Sequence, residues 1–484
     1  MKTVRWAVAT AVAAGLLAAC GSGGTAGESG SDGSSPEVSA SPKPSVKAPE
    51  GFDTSKGWHT SLDWLPKEDS EVASRPPVGS APKAGIVAFL QRKGEGYVVE
   101  ARDAATGELR WSSREWQPPA PTDSGKTGAK PQPAPQLLVV DEDGREYVAL
   151  WAYGKNETAS GDASGDAPGE GASDEKPGAF SLVFYPADSA GKEVAPAPAV
   201  TVPADANSGL EVHDGGNGVV VRWTPSWAVG QDSATIDISD NRVQTYKDEE
   251  VELPPVCENK GWDSCRGKVA GLSPDGPLVE ESTGGFGVGG AWLSRDAIPP
   301  GTTQYKAEDE GRVWQILGDH VVSSWSTPKG AAGWGATPVM AVHDLKSGKL
   351  TMSTVCDTGA GPQNVPFQPA LSPNGRYAVA GTLALDFEQD KAHCLVEDDD
   401  RSPGMSDDDR GVHLVSVGDD GIAYGYRNDD AVSANVPVAV PLDTGKIQAL
   451  PEGTEIPFVS LPDVGGFALP ADGPGRQFVF HPRR

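Results

Sequence analysis

Two kinds of tight turn recur along this 484-residue chain, and their spacing constrains its fold more than any other feature. The first is a Pro/Asp-Gly turn: Asp143-Gly144, Ser273-Pro274-Asp275-Gly276, Ser372-Pro373-Asn374-Gly375, Asp420-Gly421 and Asp472-Gly473. Pro presets φ at the first corner, and Asp or Asn before Gly accepts the positive φ that follows. The second reads Asp-x-x-Thr/Ser-Gly-Glu/Lys: Asp103 to Thr106-Gly107-Glu108, and Asp344 to Ser347-Gly348-Lys349. A weaker copy is Asp443-Thr444-Gly445-Lys446, with Pro441 in the Asp slot. Gly276 to Gly375 is 99 residues, Gly348 to Gly445 is 97, and Gly375 to Gly421 is 46. These are two, two and one units of a repeat in the forties.

Between the turns lie short runs rich in Val, Ile, Phe, Tyr and Trp, among them Ile86–Leu90, Tyr97–Ala101, Tyr147–Trp151, Gly218–Trp223, Tyr377–Thr382 and Val412–Val417. No long run carries apolar residues at helical spacing. Gly and Pro together number 102, which also favours turn-rich strands. A four-stranded unit of this period cannot bury its faces alone. It packs against copies of itself, and the sequence therefore predicts an all-β β-propeller. Outer hairpins near residues 107, 191, 241, 298, 348, 397 and 445 make seven blades the preferred count, with eight as the alternative. Val464–Leu469 and Gln477–Phe480 are expected to close the ring against a strand near Trp58–Leu65.

The run Ala101-Arg-Asp103-Ala-Ala-Thr106-Gly107-Glu-Leu-Arg-Trp111 resembles the repeat of quinoprotein-type (PQQ-like) propellers, A-x-D-x-x-T-G-x-x-x-W. The resemblance implies that Asp103 and Thr106 close a hairpin and that Trp111 docks on the neighbouring blade. It is partial from Asp344, where Met352 takes the Trp place, and weak near Gly445. The Ser-Pro-Asp-Gly turns are more similar to WD40-like (TolB-type) blades. Residues 51–484 form the expected propeller domain, with loops 118–135, 155–178 and 397–410 extruded from it. Alcohol dehydrogenases of the quinoprotein class carry an adjacent Cys pair, which this chain lacks. The resemblance thus implies fold and not that activity.

The N-terminus predicts the compartment. Lys2 and Arg5 precede an apolar stretch, Trp6 to Leu17, too short to span a bilayer. Leu17-Ala18-Ala19-Cys20 resembles the bacterial lipobox, which implies a signal peptide over residues 1–19 and lipidation of Cys20. Residues 20–50 hold the lipidated Cys and a Gly/Ser/Pro-rich spacer, about 30 Å in reach. Acyl chains at about 0.8 kcal/mol per buried CH₂ would hold the protein to the outer face of the cell membrane. With the Ala/Gly-rich composition, this points to an actinobacterial source.

Four Cys remain. In an oxidising compartment they read as two disulfides, Cys257–Cys265 and Cys356–Cys394 by proximity. A zinc site is disfavoured, since no C-x-x-C occurs and the seven His are scattered. The net charge of −28, or −30 without Lys2 and Arg5, argues against nucleic-acid binding.

Nothing in the sequence reads as a catalytic constellation. Ser124-Gly125-Lys126-Thr127 ends like a phosphate-binding loop, but its first Gly falls on Ala120 among prolines. Asp398–Asp400 and Asp407–Asp409 read as a solvated loop rather than a Ca²⁺ site, because contiguous Asp side chains diverge. His213-Asp214 and Asp319-His320 read as turn or strand-end residues, not dyads. Most Trp residues read as inter-blade core. Trp227 and Trp334, in Gly/Pro/Ser-rich loops, are the candidate ligand contacts. No metal or cofactor is expected. The expected role is a monomeric binding or scaffold module for an envelope protein or glycan, similar to BamB-like lipoprotein propellers. A propeller hydrolase or lyase acting on a glycan is the alternative.

Overall fold

A computed structural model describes residues 45–65, 76–122, 134–156, 178–225, 230–248, 250–251, 266–282, 284–302, 311–325, 339–356, 369–395, 411–429, 434–470 and 475–484. Cys20, Cys257, Cys265, Trp227, Trp334, the Asp472-Gly473 turn and the 397–410 acidic run lie outside these residues.

The described strands form eight separate sheets, antiparallel apart from one added strand in the first. In chain order they are blade 1 (78–113), blade 2 (136–203), blade 3 (206–246), blade 4 (267–293), blade 5 (312–355), blade 6 (370–394) and blade 7 (412–449). Blade 8 takes three strands from residues 459–482 and its fourth from Trp58–Leu62. First strands of successive blades contact one another at most seams. The first strand of blade 4 lies against the second and third strands of blade 3, the outer strands of blades 5 and 6 contact each other, and Val459–Leu461 of blade 8 reaches Val78–Ala81 of blade 1. The sheets are therefore a closed β-propeller. One 3₁₀ turn, Ser294–Asp296, is the sole helical element among the described residues.

The count of eight corrects the preferred seven. Seven blades each have an outer hairpin in the chain, but in blade 8 the outer strand comes from the N-terminus. Trp58 pairs with Phe480 and Leu62 with Arg476, and no turn joins the two strands. Counting hairpins therefore misses one blade. Residue 191 is also not at a hairpin tip. Gly191–Val194 is a fifth strand that pairs in parallel with Leu109–Ser113 of blade 1.

Middle strands read as unbroken apolar runs because both faces are covered. Arg145–Lys155 is buried from Glu146 through Ala152, whereas the outer strand Arg242–Tyr246 is largely exposed. The core divides into clusters at the seams between blades. At the blade 2/3 seam lie Trp151, Phe180 and Trp223, and at the 4/5 seam Phe286, Trp292 and Trp325. The closing 8/1 seam holds Phe89, Phe478 and Phe480, with Trp58 stacked on Phe480 at 4.1 Å. Cys356 and Cys394 are joined by a disulfide with a Cα–Cα distance of 5.4 Å. It ties the end of blade 5 to the outer strand of blade 6.

Antiparallel alternation sorts the connections. Turns between first and second strands, and between third and fourth, share one face of the disc, here the turn face. The remaining connections share the opposite face. The two turn motifs divide accordingly. Asp143-Gly144, Gly276, Gly375 and Gly421 lie in first-to-second-strand turns, while Gly107, Gly348 and Gly445 lie in third-to-fourth-strand turns. Trp227, Trp334 and residues 397–410 belong to segments whose flanking strands end on the opposite face.

Candidate functional site

The turn face brings together most of the described residues that the sequence singles out. Asp103 Oδ1 accepts the backbone N–H groups of Ala105 (3.1 Å) and Thr106 (2.9 Å) and the Thr106 hydroxyl (3.1 Å). Its other oxygen takes Arg110. Burial by itself raises this carboxyl, but those donors more than reverse it, so Asp103 sits below its ordinary value. Asp344 repeats the arrangement with Ser347. In the other turn class, Ser273 Oγ accepts from Asp275 N, and the Asp419 carboxylate of blade 7 accepts from Asn374 N of blade 6.

Each glycine of the second motif lies under an aromatic ring from the preceding blade. A Cβ on Gly107 would sit 2.5 Å from the Trp58 ring, and one on Gly348 2.3 Å from Trp292. The same rings donate N–H to the turn: Trp58 Nε1 to Ala104 O (2.9 Å) and Trp292 Nε1 to Leu345 O (3.2 Å). Trp111, fully buried, donates to Ala187 O (3.0 Å) of blade 2. His393 replaces the indole at the blade 6/7 seam, with Nε2 2.9 Å from Leu442 O and its ring over Gly445. His393 has no place in the sequence motif. Its signal is positional, an N–H-bearing ring on the outer strand just before the next blade's turn. Met352 fills the corresponding slot of blade 5 without a donor, buried against blade 6.

Other carboxylates of this face also serve the framework. Glu142 of blade 2 accepts Ile238 N and Ser239 N of blade 3, both at 2.8 Å. Glu146 accepts Ala84 N of blade 1 (2.9 Å). Asp386 holds Arg376 through both oxygens, at 3.1 and 2.9 Å. Asp420 holds Arg483.

At the mouth of the ring one group differs. The loop Asp214-Gly215-Gly216-Asn217-Gly218 joins the first two strands of blade 3. Gly215 O accepts Leu272 N of blade 4 (2.7 Å). A Cβ on Gly216 would meet Gly318 O of blade 5 at 2.9 Å. Asp214 Oδ1 accepts Gly216 N (2.9 Å), and its carboxyl also accepts the backbone N–H of Asp141 in blade 2. Four consecutive blades therefore meet at this loop. Asp214 is half-buried; desolvation pushes its carboxyl up to about 7, and the nearby Asp141 and Asp319 carboxylates add to the shift against its two N–H donors. His213 faces another way, with Nε2 3.3 Å from Ala270 O of blade 4. Burial takes it down to about 3, helped by Arg222 and Lys268. The adjacent pair thus makes no dyad. His320 of the second pair stacks on Phe387 of blade 6 at 3.8 Å.

Neither a protein-family model nor a curated protein matches the sequence. Among solved structures, the chain is similar to a europium-containing methanol dehydrogenase, with a TM-score of 0.38 and 11% identity over 88% of this chain and 92% of that one. It is similar to an uncharacterized Listeria monocytogenes protein at TM-score 0.32 and 7% identity, over 81% and 89% of the two chains. A Pyrococcus horikoshii acylaminoacyl peptidase gives 0.33 and 9% over 78% of this chain, which spans 45% of that enzyme. At these values the likenesses carry no argument about activity, and the fold stands on the eight sheets.

Proposed function

We propose that this chain is a lipid-anchored, extracytoplasmic propeller that serves as a binding or scaffold module at the cell envelope. The observation that carries the reading is the use of the turn-face carboxylates. Asp103, Glu142, Glu146, Asp344 and Asp386 all accept backbone N–H groups, within their own turns or across seams. Acids committed in this way build a rigid platform. The Cys356–Cys394 disulfide is in keeping with an oxidising compartment, as is the lipobox-like Leu17–Cys20. The partner is an envelope protein. Crosslinking on intact cells followed by pull-down of the mature chain is expected to recover one reproducibly, and Cys20→Ala is expected to move the chain from the membrane to the soluble fraction. Failure of both results would overturn the reading.

The second reading, a propeller hydrolase or lyase acting on a glycan, is favoured by Asp214. A carboxyl that keeps its proton near neutrality beside two carboxylates has the character of a general acid. Turnover of cell-wall glycan that Asp214→Asn abolishes would establish it.

A further inference from the structure

We infer that the Asp214–Gly218 loop is a proton-operated clasp across the turn-face mouth. It is closed while the Asp214 carboxyl carries its proton, and loosened once that carboxyl ionises beside Asp141 and Asp319. The inference does not depend on either reading of function.

The geometry makes the loop a junction. Through it blade 3 touches blade 2 at Asp141 N, blade 4 at Leu272 N and blade 5 at Gly318 O. Three of its five residues are glycines, so the backbone approaches its neighbours closely, and Gly216 and Gly218 take φ of 92° and 122°. Side chains of Leu272, Ile316 and Leu345 pack against its glycines, and Asp214 is its one anchor that can change charge.

The charges around the anchor oppose its ionisation. From blade 2 come Asp141, whose outer oxygen pairs with Lys83 of blade 1, and Glu142, whose Oε2 lies 3.5 Å from a Cβ placed on Gly218. From blade 5 comes Asp319. Arg222 of blade 3 and Lys268 of blade 4 act on His213, which stays neutral and contributes no counter-charge. Arg222 is itself engaged by Glu211. Removing the Asp214 proton therefore places a further anion among carboxylates. In an opened loop the same carboxyl would ionise freely in water. Opening is thus coupled to the loss of one proton, and the open population rises with pH until the closed form also ionises, near pH 7.

The test is hydrogen exchange of the full mature chain between pH 5 and 9, corrected for the intrinsic pH dependence of exchange. Peptides covering 137–146, 210–220 and 314–322 are followed. Wild-type opening is expected to rise about tenfold per pH unit towards neutrality and level off above it. Asp214→Asn, which keeps an acceptor for Gly216 N, is expected to abolish the slope and leave exchange at Trp58–Leu62 unchanged. Asp319→Asn removes a like charge and is expected to move the levelling to lower pH. A flat wild-type profile, an Asp214→Asn chain that keeps the slope, or an unmoved Asp319→Asn plateau would each overturn the clasp. If Asp214→Asn fails to fold, the Asp319→Asn plateau decides.

Discussion

The seam that closes the ring and the seam between blades 3 and 4 are built from opposite materials. At the closing seam Trp58, Phe89, Phe478 and Phe480 pack edge to face and stacked, with centroids 4.1 to 6.1 Å apart. At the 3/4 seam, among the described residues, the buried apolar cluster is Val251 and Val279, with Tyr246 and Leu293 partly buried against it. Polar links also join the described residues there: Asp248 with Arg266 at 3.2 Å, Val269 N to Ser233 Oγ at 3.4 Å, and His213 against Ala270 O. No peptide bond runs through the outer pairing of blade 8, since its two outermost strands come from the two ends of the chain. Aromatic burial, at about 0.5–1.5 kcal/mol per pair beyond area, supplies what connectivity does not. Blades 3 and 4 are consecutive in the chain, and their described joint is the more polar of the two. The mouth loop of blade 3 lies across that joint.

The largest effect should follow from cutting the aromatic seam. Phe480→Ala is expected to cost about 3–5 kcal/mol in denaturant unfolding, whereas Val279→Ala at the polar seam should cost about 2 kcal/mol or less. Equal costs would erase the contrast.

Both seams were unequally legible in the sequence. Turn periodicity placed outer hairpins at 107, 241, 348 and 445, because each turn chemistry acts over a few residues, but the hairpin expected near 298 lies instead between Val288 and Trp292. The eighth blade escaped a hairpin count because its pairing joins residues 58 and 480. Trp111 was readable from its motif, while His393 was not, since a lone His on an exposed-looking strand carries no local signal. Asp214 read as a plain turn residue. Its character comes from Asp141 and Asp319, which only ring closure brings beside it.

A covalent joint offers a third case. Replacing both Cys356 and Cys394 by Ser is expected to lower stability by about 2–4 kcal/mol, given a closed loop of 38 residues. A loss much smaller than that at the aromatic seam would rank packing above crosslinking in this ring.

His343 sharpens the picture at the 4/5 seam. It is fully buried beside Phe286 and Trp325, and burial lowers it to about 4. The fold refuses a proton that the unfolded chain accepts. Stability should therefore be unaffected by this group above pH 6.5, fall from there to about pH 4, and stay level below, a loss on the order of 3 kcal/mol. Thermal melts of His343→Phe should show a shallower decline over that window. Asp214 acts with the opposite sign, favouring the fold at low pH and losing that contribution as pH rises towards 7.

The smallest effect should come from a single docking bond. Trp111→Phe keeps a ring and removes the donor to Ala187 O, at a cost of about 1 kcal/mol in unfolding free energy.

Native-state hydrogen exchange at constant pH tests the eight-bladed, end-closed ring most directly. Amides of Trp58–Leu62 paired to Arg476–Phe480 should exchange only through global unfolding, while those of Gly267–Val269 at the 3/4 seam should open earlier by a smaller step. Exchange of the N-terminal strand ahead of the 3/4 seam would contradict the account.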